Sequence, residues 1–226
     1  MTRRAVLLAI ILGIGGSGAI RADMDATLRD VDAKRDSGTR VYGTWPVFHQ
    51  IIAISYPKGF APAFEKTNGG SYIQESVLHG ESVDHWTQMV TITGAEGLAL
   101  KPDSTPENMT GFFVRRFRQL CPSTFSGTRL PSDPVAKWNG TITLIGCGSF
   151  VQSGQELSEA TLIITLKGDQ DYYTVQWAER GPATAGPIVY DKKIWSDRLQ
   201  QLLPVRICDK VAGEAAPFPS CINPKP

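Results

Sequence analysis

Apolar residues along this chain fall into period-two or unbroken runs in some segments and into helical spacing in others, and the two kinds come in blocks. Residues 49–56 hold Ile51, Ile52, Ala53 and Ile54 as one apolar run, as in a buried strand. Pro57-Lys58-Gly59-Phe60 ends it, and Pro62 and Asn68-Gly69-Gly70 predict loops or turns. Residues 71–78 read as a strand closed by a turn at His79-Gly80-Glu81. Residues 86–93 (WTQMVTIT) follow, rich in β-branched side chains and with Trp86, Val90 and Ile92 in period-two step. Three more strands are predicted over 137–150, 159–167 and 171–179, with Gly168-Asp169-Gln170 as a tight hairpin between the last two.

Helical spacing takes over twice. Thr105 is suited to cap a helix, Pro106 to its first position and Glu107 to the positive end of its dipole. Met109, Phe113, Phe117 and Leu120 then form one face, with Arg115, Arg116 and Arg118 mostly outside it, and Pro122 stops the helix after Cys121. After a Gly/Pro-rich break, Asp191 caps a second helix. Trp195, Leu199 and Leu202 face inward at i, i+4 and i+7, and Pro204 closes it. The order of strands, helix, strand meander and helix predicts an α+β fold: a largely antiparallel sheet with two main helices, about 105–121 and 191–203, packed on it.

The first 22 residues have a different pattern. Arg3 and Arg4 precede an apolar run over 5–14, and small residues follow up to Ala22. This is the plan of an export signal, too short in its apolar part to span a bilayer, which takes about 20 residues. The expected organisation is therefore a signal peptide over 1–22, a charged arm or short helix over 23–40, a single α+β domain over 41–205 and an irregular, disulfide-stapled tail over 206–226. The expected location is periplasmic or secreted, with no stable membrane insertion after cleavage.

Export changes the charge count. Taking the three arginines of residues 1–22 from the 23 basic residues leaves 20 against 22 acidic ones, turning a formal +1 into −2. Nucleic-acid binding needs a basic footprint and is not expected. Export also governs the cysteines. Cys121, Cys147, Cys208 and Cys221 all follow the signal, and four cysteines in an oxidising space favour two disulfides among three connectivities. The expected pairs are Cys121–Cys147 and Cys208–Cys221, the second closing a tail of little apolar content (VAGEAAPFPS).

The densest polar cluster is His79-Gly80-Glu81-Ser82-Val83-Asp84-His85. His79, Glu81, Asp84 and His85 are candidate metal ligands, and Glu75 is a further one upstream. The cluster lacks the H-E-x-x-H spacing that sets two histidines on one helix face, and a polar turn between strands accounts for it more simply. No G-x-S-x-G occurs in residues 23–226, and cysteines in disulfides supply no thiolate, so nucleophilic catalysis has no motif behind it. Arg115, Arg116 and Arg118 are candidate contacts for an anion or partner, against the simpler reading of a solvated helix face. Trp138, Tyr172, Tyr173, Trp177 and Trp195 could line a groove, but core packing explains them without a ligand. No cofactor is expected.

In the order of its elements the chain resembles the Mog1/PsbP-like α/β/α sandwich over roughly residues 47–203. The segment IQESVLHGESVDHWTQMVTITG is similar to a phrase of secreted proteobacterial proteins, in which an acidic residue and short turn precede a Trp-Thr-x-Met strand. The resemblance implies an accessory, assembly or chaperone-like binding protein and brings no catalytic residues. The expectation is a non-enzymatic envelope protein that docks a protein segment or small ligand on a sheet edge or groove. The rival is a metal-dependent or hydrolytic enzyme using residues 79–85.

Overall fold

The computed structural model describes residues 32–34, 36 and 40–223. The segment expected to direct export lies outside the described residues. Residues 32–34 and 36 are helical, and Arg40–Pro226 forms a unit of its own, α+β and mostly sheet.

Seven strands make the main antiparallel sheet, in the order β3-β4-β5-β9-β8-β7-β6. They are β3 (Phe60–Asn68), β4 (Ser71–Leu78), β5 (Gln88–Ala95), β6 (Phe125–Leu130), β7 (Thr141–Gln152), β8 (Gln155–Lys167) and β9 (Tyr172–Pro182). A second antiparallel sheet joins β1 (Tyr42–Val47), β2 (Gln50–Ser55) and β10 (Arg206–Asp209), with β2 in the middle. Three α-helices complete the unit among the described residues: α1 (Pro106–Leu120), α2 (Lys192–Leu202) and the short α3 (Pro219–Ile222).

One face of the main sheet carries the core. Val90 and Ile92 of β5, Tyr173, Val175 and Trp177 of β9, and Leu162, Ile164 and Leu166 of β8 join one buried cluster. Ile52 and Ile54 of β2, Ile207 of β10, and Trp195, Leu199 and Leu202 of α2 complete it. Pairing fixes which side chains share a face, because directly opposed residues point the same way. Ile92↔Val175 and Val175↔Ile164 therefore align apolar side chains on this face, while Thr93↔Thr174, Thr174↔Thr165 and Thr165↔Thr141 align threonines on the other. On that second face α1 packs against β7 and β8. Its Thr110 hydroxyl lies 2.7 Å from that of Thr141 and 2.8 Å from that of Thr165.

The helices start as their sequences require. The Thr105 side chain accepts from Asn108 N at α1, and Asp191 accepts from Lys193 N and Ile194 N at α2. Both expected disulfides are formed. Cys121–Cys147 ties the end of α1 to β7, and Cys208–Cys221 ties β10 to α3.

Several local expectations are corrected. β3 is a nine-residue strand where turns were expected; Pro62 fits because β3 is an edge strand and its register shifts between Pro62 and Phe64. β1, β6 and β10 were not predicted, β10 falling in the supposedly irregular tail. The strand expected from Lys137 begins only at Thr141: Asp133–Trp138 is a 3₁₀ turn, and Asn139 takes a positive φ of 45°. Trp86 precedes β5 instead of alternating within it. On α1, Leu120 is 51% exposed instead of inward, and Thr110 is buried. The helix sits on the threonine row, so its inner face turns toward Pro106 and Thr110.

Candidate cleft at the Trp86–Arg180 stack

The loop after β4 is held from within. His79 N donates to Gly59 O and Glu81 N to Leu78 O, while Ser82 and His85 exchange backbone hydrogen bonds of 3.0 Å each way. The Glu81 carboxylate accepts from Thr87 N at 3.0 Å and from the Thr87 hydroxyl at 2.5 Å. These bonds close the loop at its base and leave its outer side chains outward, Asp84 and His85 among the exposed residues.

Across from this loop lies Arg180, near the end of β9. Its backbone N donates to Thr87 O at 2.8 Å, joining strand and loop. The guanidinium lies 3.8 Å from the centroid of the Trp86 ring and 5.8 Å from that of Phe150. Nε donates to Glu159 at 2.8 Å and Nη2 to Gln152 at 2.7 Å, so the arginine is fixed from β8 and β7 together. The Arg180 and Glu159 side chains are only 12% and 15% exposed, which makes this a largely desolvated pair. Burial pushes the Glu75 carboxyl on β4 above its usual range, and the nearby positive charge of Arg180 offsets part of that.

A cleft of about 360 Å³ opens beside this stack. Glu81, Asp84, His85 and Trp86 form one wall, and Gln155, Leu157 and Arg180 form the other. Three of the four side chains singled out as metal ligands thus reach one cleft, and exposed His79 is not among its lining residues. Among the described residues no three His, Cys, Asp or Glu side chains stand together as a metal-binding group. Glu81 is occupied with its own loop. The cleft has apolar surface on both walls, from Trp86 and Leu157, together with the polar groups of Asp84, His85 and Gln155. That combination suits reversible binding of a polar molecule or chain segment.

The other candidates lie elsewhere. Arg115, Arg116 and Arg118 are exposed on α1. Tyr172, Tyr173, Trp177 and Trp195 are buried, as the core reading expects, and Trp138 is half-buried. His49 meets a carboxylate: its Nδ1 is 3.0 Å from Asp171. Its backbone N donates to the same carboxylate at 3.1 Å, so both groups of His49 anchor the turn to Asp171.

Arg180, Glu159, Phe150 and Gln155 were not foreseen as site residues. A signal for the first pair was present: counting equal steps outward along both strands from Lys167↔Tyr172 at the hairpin arrives at Glu159↔Arg180, an opposite-charge pair. Phe150 carries no such signal, because the register of β7 against β8 shifts between Cys147 and Phe150. No protein-family model matches the chain, and no curated protein matches it.

Proposed function

We propose that this is an exported, non-enzymatic accessory protein of the bacterial envelope, periplasmic or secreted, that docks a polar segment of a partner or a small ligand in the Trp86–Arg180 cleft. The observation that carries the reading is the combination of the fixed Trp86–Arg180 stack with the polar side chains of Asp84, His85 and Gln155 lining the same cleft. Two disulfides support an oxidising compartment, and among the described residues no helix is long and apolar enough to cross a membrane. The layering of α1, the seven-stranded sheet, and α2 with the second sheet supports a Mog1/PsbP-like sandwich.

The test is site-specific photocrosslinking from Gln155 in the native envelope, read by mass spectrometry. A defined adduct that disappears in Trp86→Ala and persists in His79→Ala supports the reading. An absent adduct, or one indifferent to Trp86, overturns it. Stoichiometric metal in the purified protein, lost in His79→Ala with His85→Ala, would replace it with the metal-dependent alternative.

A further inference from the structure

Helix α1 presents a ridge on the side away from the sheet. Phe112, Arg115, Arg116, Gln119 and Leu120 follow one another at helical spacing (i, i+3, i+4, i+7, i+8), and all are exposed, with Phe112 and Leu120 each 51% so. From Asn108 to Leu120 the helix has three arginines and no acidic residue. Glu107, before this stretch, is engaged by Arg129 at 2.9 Å. Arg118 lies over the Phe125 ring, 5.0 Å from its centroid, whereas Arg115 and Arg116 enter no ion pair among the described residues. The ridge therefore combines unneutralised positive charge with two large apolar side chains left in water.

This surface cannot retract. Thr110 pins the inner side of α1 to Thr141 and Thr165, and Cys121–Cys147 fastens the residue after its last turn to β7. A hollow of about 420 Å³ at the C-terminal end is lined by Arg116, Phe117, Gln119 and Leu120, which places a cation and two apolar side chains around one space. A purely acidic protein segment would satisfy the arginines and leave Phe112 and Leu120 in water, and an acidic partner that also carried apolar side chains would bind in the absence of lipid. A lipid headgroup region satisfies both kinds of side chain, with phosphate against guanidinium and the upper acyl chain against the apolar prongs.

We propose that this ridge seats the protein peripherally on an anionic lipid bilayer, with Arg115 and Arg116 meeting headgroup phosphates and Phe112 and Leu120 entering the interface. The lipid contact is separate from the cleft and does not depend on what the cleft binds. Each basic side chain near an anionic surface raises partitioning by about fivefold, so Arg115→Gln with Arg116→Gln should lower it by roughly 30-fold.

The experiment is co-sedimentation of the full chain with vesicles of phosphatidylcholine alone and with about 30 mol % phosphatidylglycerol, at low and high salt. The readout is the ratio of binding to the two vesicle types, compared between parent and variants that share residues 1–22, so that Arg3, Arg4, Arg21 and the apolar run over residues 5–14 contribute alike to each. The expected result is a strong preference for the anionic vesicles that falls with salt. The double Gln variant should remove most of it and Arg115→Lys with Arg116→Lys should largely retain it. Phe112→Ser with Leu120→Ser should weaken binding to the anionic vesicles while leaving its salt dependence. A ratio near one, or a preference unchanged by the double Gln variant, overturns the proposal, including in favour of an acidic protein partner. Near-ultraviolet circular dichroism of each variant confirms that the fold is retained.

Discussion

The Nδ1 atom of His49 lies 3.0 Å from a carboxylate oxygen of Asp171, a residue 122 positions further along the chain whose side chain is fully buried. Asp171 also accepts from His49 N at 3.1 Å, Gly97 N at 2.8 Å and the Tyr173 hydroxyl at 2.9 Å. One carboxylate thus joins the β1–β2 turn, the loop after β5 and the start of β9, locking the small sheet onto the large one.

Burial alone would raise the Asp171 carboxyl, but the bonds from Gly97, His49 and Tyr173 outweigh it and hold the group below the usual aspartate range. The stability it contributes is therefore complete above the ordinary aspartate value of about 3.9 and is lost as pH falls through the lower native value. Asp171→Asn, which replaces a charged acceptor of several hydrogen bonds by an amide, should cost about 2–3 kcal/mol at neutral pH in urea unfolding. The gap between variant and parent should narrow below about pH 4.

The Glu75 carboxyl is displaced the opposite way, so its sign reverses. A carboxyl with a raised native value favours the folded state below the ordinary glutamate range and loses that advantage as pH rises through the native value. Glu75→Gln should stabilise the protein at pH 7–8, with the gain vanishing near pH 4 in paired thermal melts.

Thr110, Thr141 and Thr165 hold one another's hydroxyls in a buried contact between α1 and the sheet. Thr110→Val keeps the shape and removes the shared partner of the other two. The expected cost is about 1–2 kcal/mol, from two buried hydroxyls deprived of a bond. In calorimetry this corresponds to a fall in Tm of about 2–8 °C.

Cys208–Cys221 closes a tail whose α3 covers Ile51 and Ala53 on the outer side of β2. Replacing both cysteines by serine should cost about 3 kcal/mol in the chain-entropy account, and reductant should then have less effect on the variant than on the parent. Non-reducing peptide mapping that found Cys121 joined to Cys208 would contradict the connectivity.

Of the candidate cleft, part of one wall was legible in the sequence. Glu81, Asp84 and His85 stood out as a polar loop because they are neighbours in the chain. Arg180 and Glu159 did not, since each is an ordinary charged residue until the β8–β9 register sets them opposite one another. The choice between ligand set and structural loop was also hidden: Glu81 turns back to Thr87, a contact that depends on the closure of the loop.

Elements whose reason for existing is local could be read in advance. The caps at Thr105 and Asp191, the inward stripe Trp195-Leu199-Leu202, the strand β4 and the hairpin between β8 and β9 all depend on residues a few positions apart. Backbone capping and helical or period-two spacing act over that range. The strands β1, β3, β6 and β10 depend on partners instead. β10 is four residues long and becomes a strand because Ile207 pairs with Ile52, about 150 residues earlier. In β3 most side chains are exposed, so no hydrophobic alternation marks it, and backbone bonds to β4 make it a strand. The cleft and the Asp171 anchor are of the same kind, since burial, pairing and charge compensation exist only once distant segments share one surface.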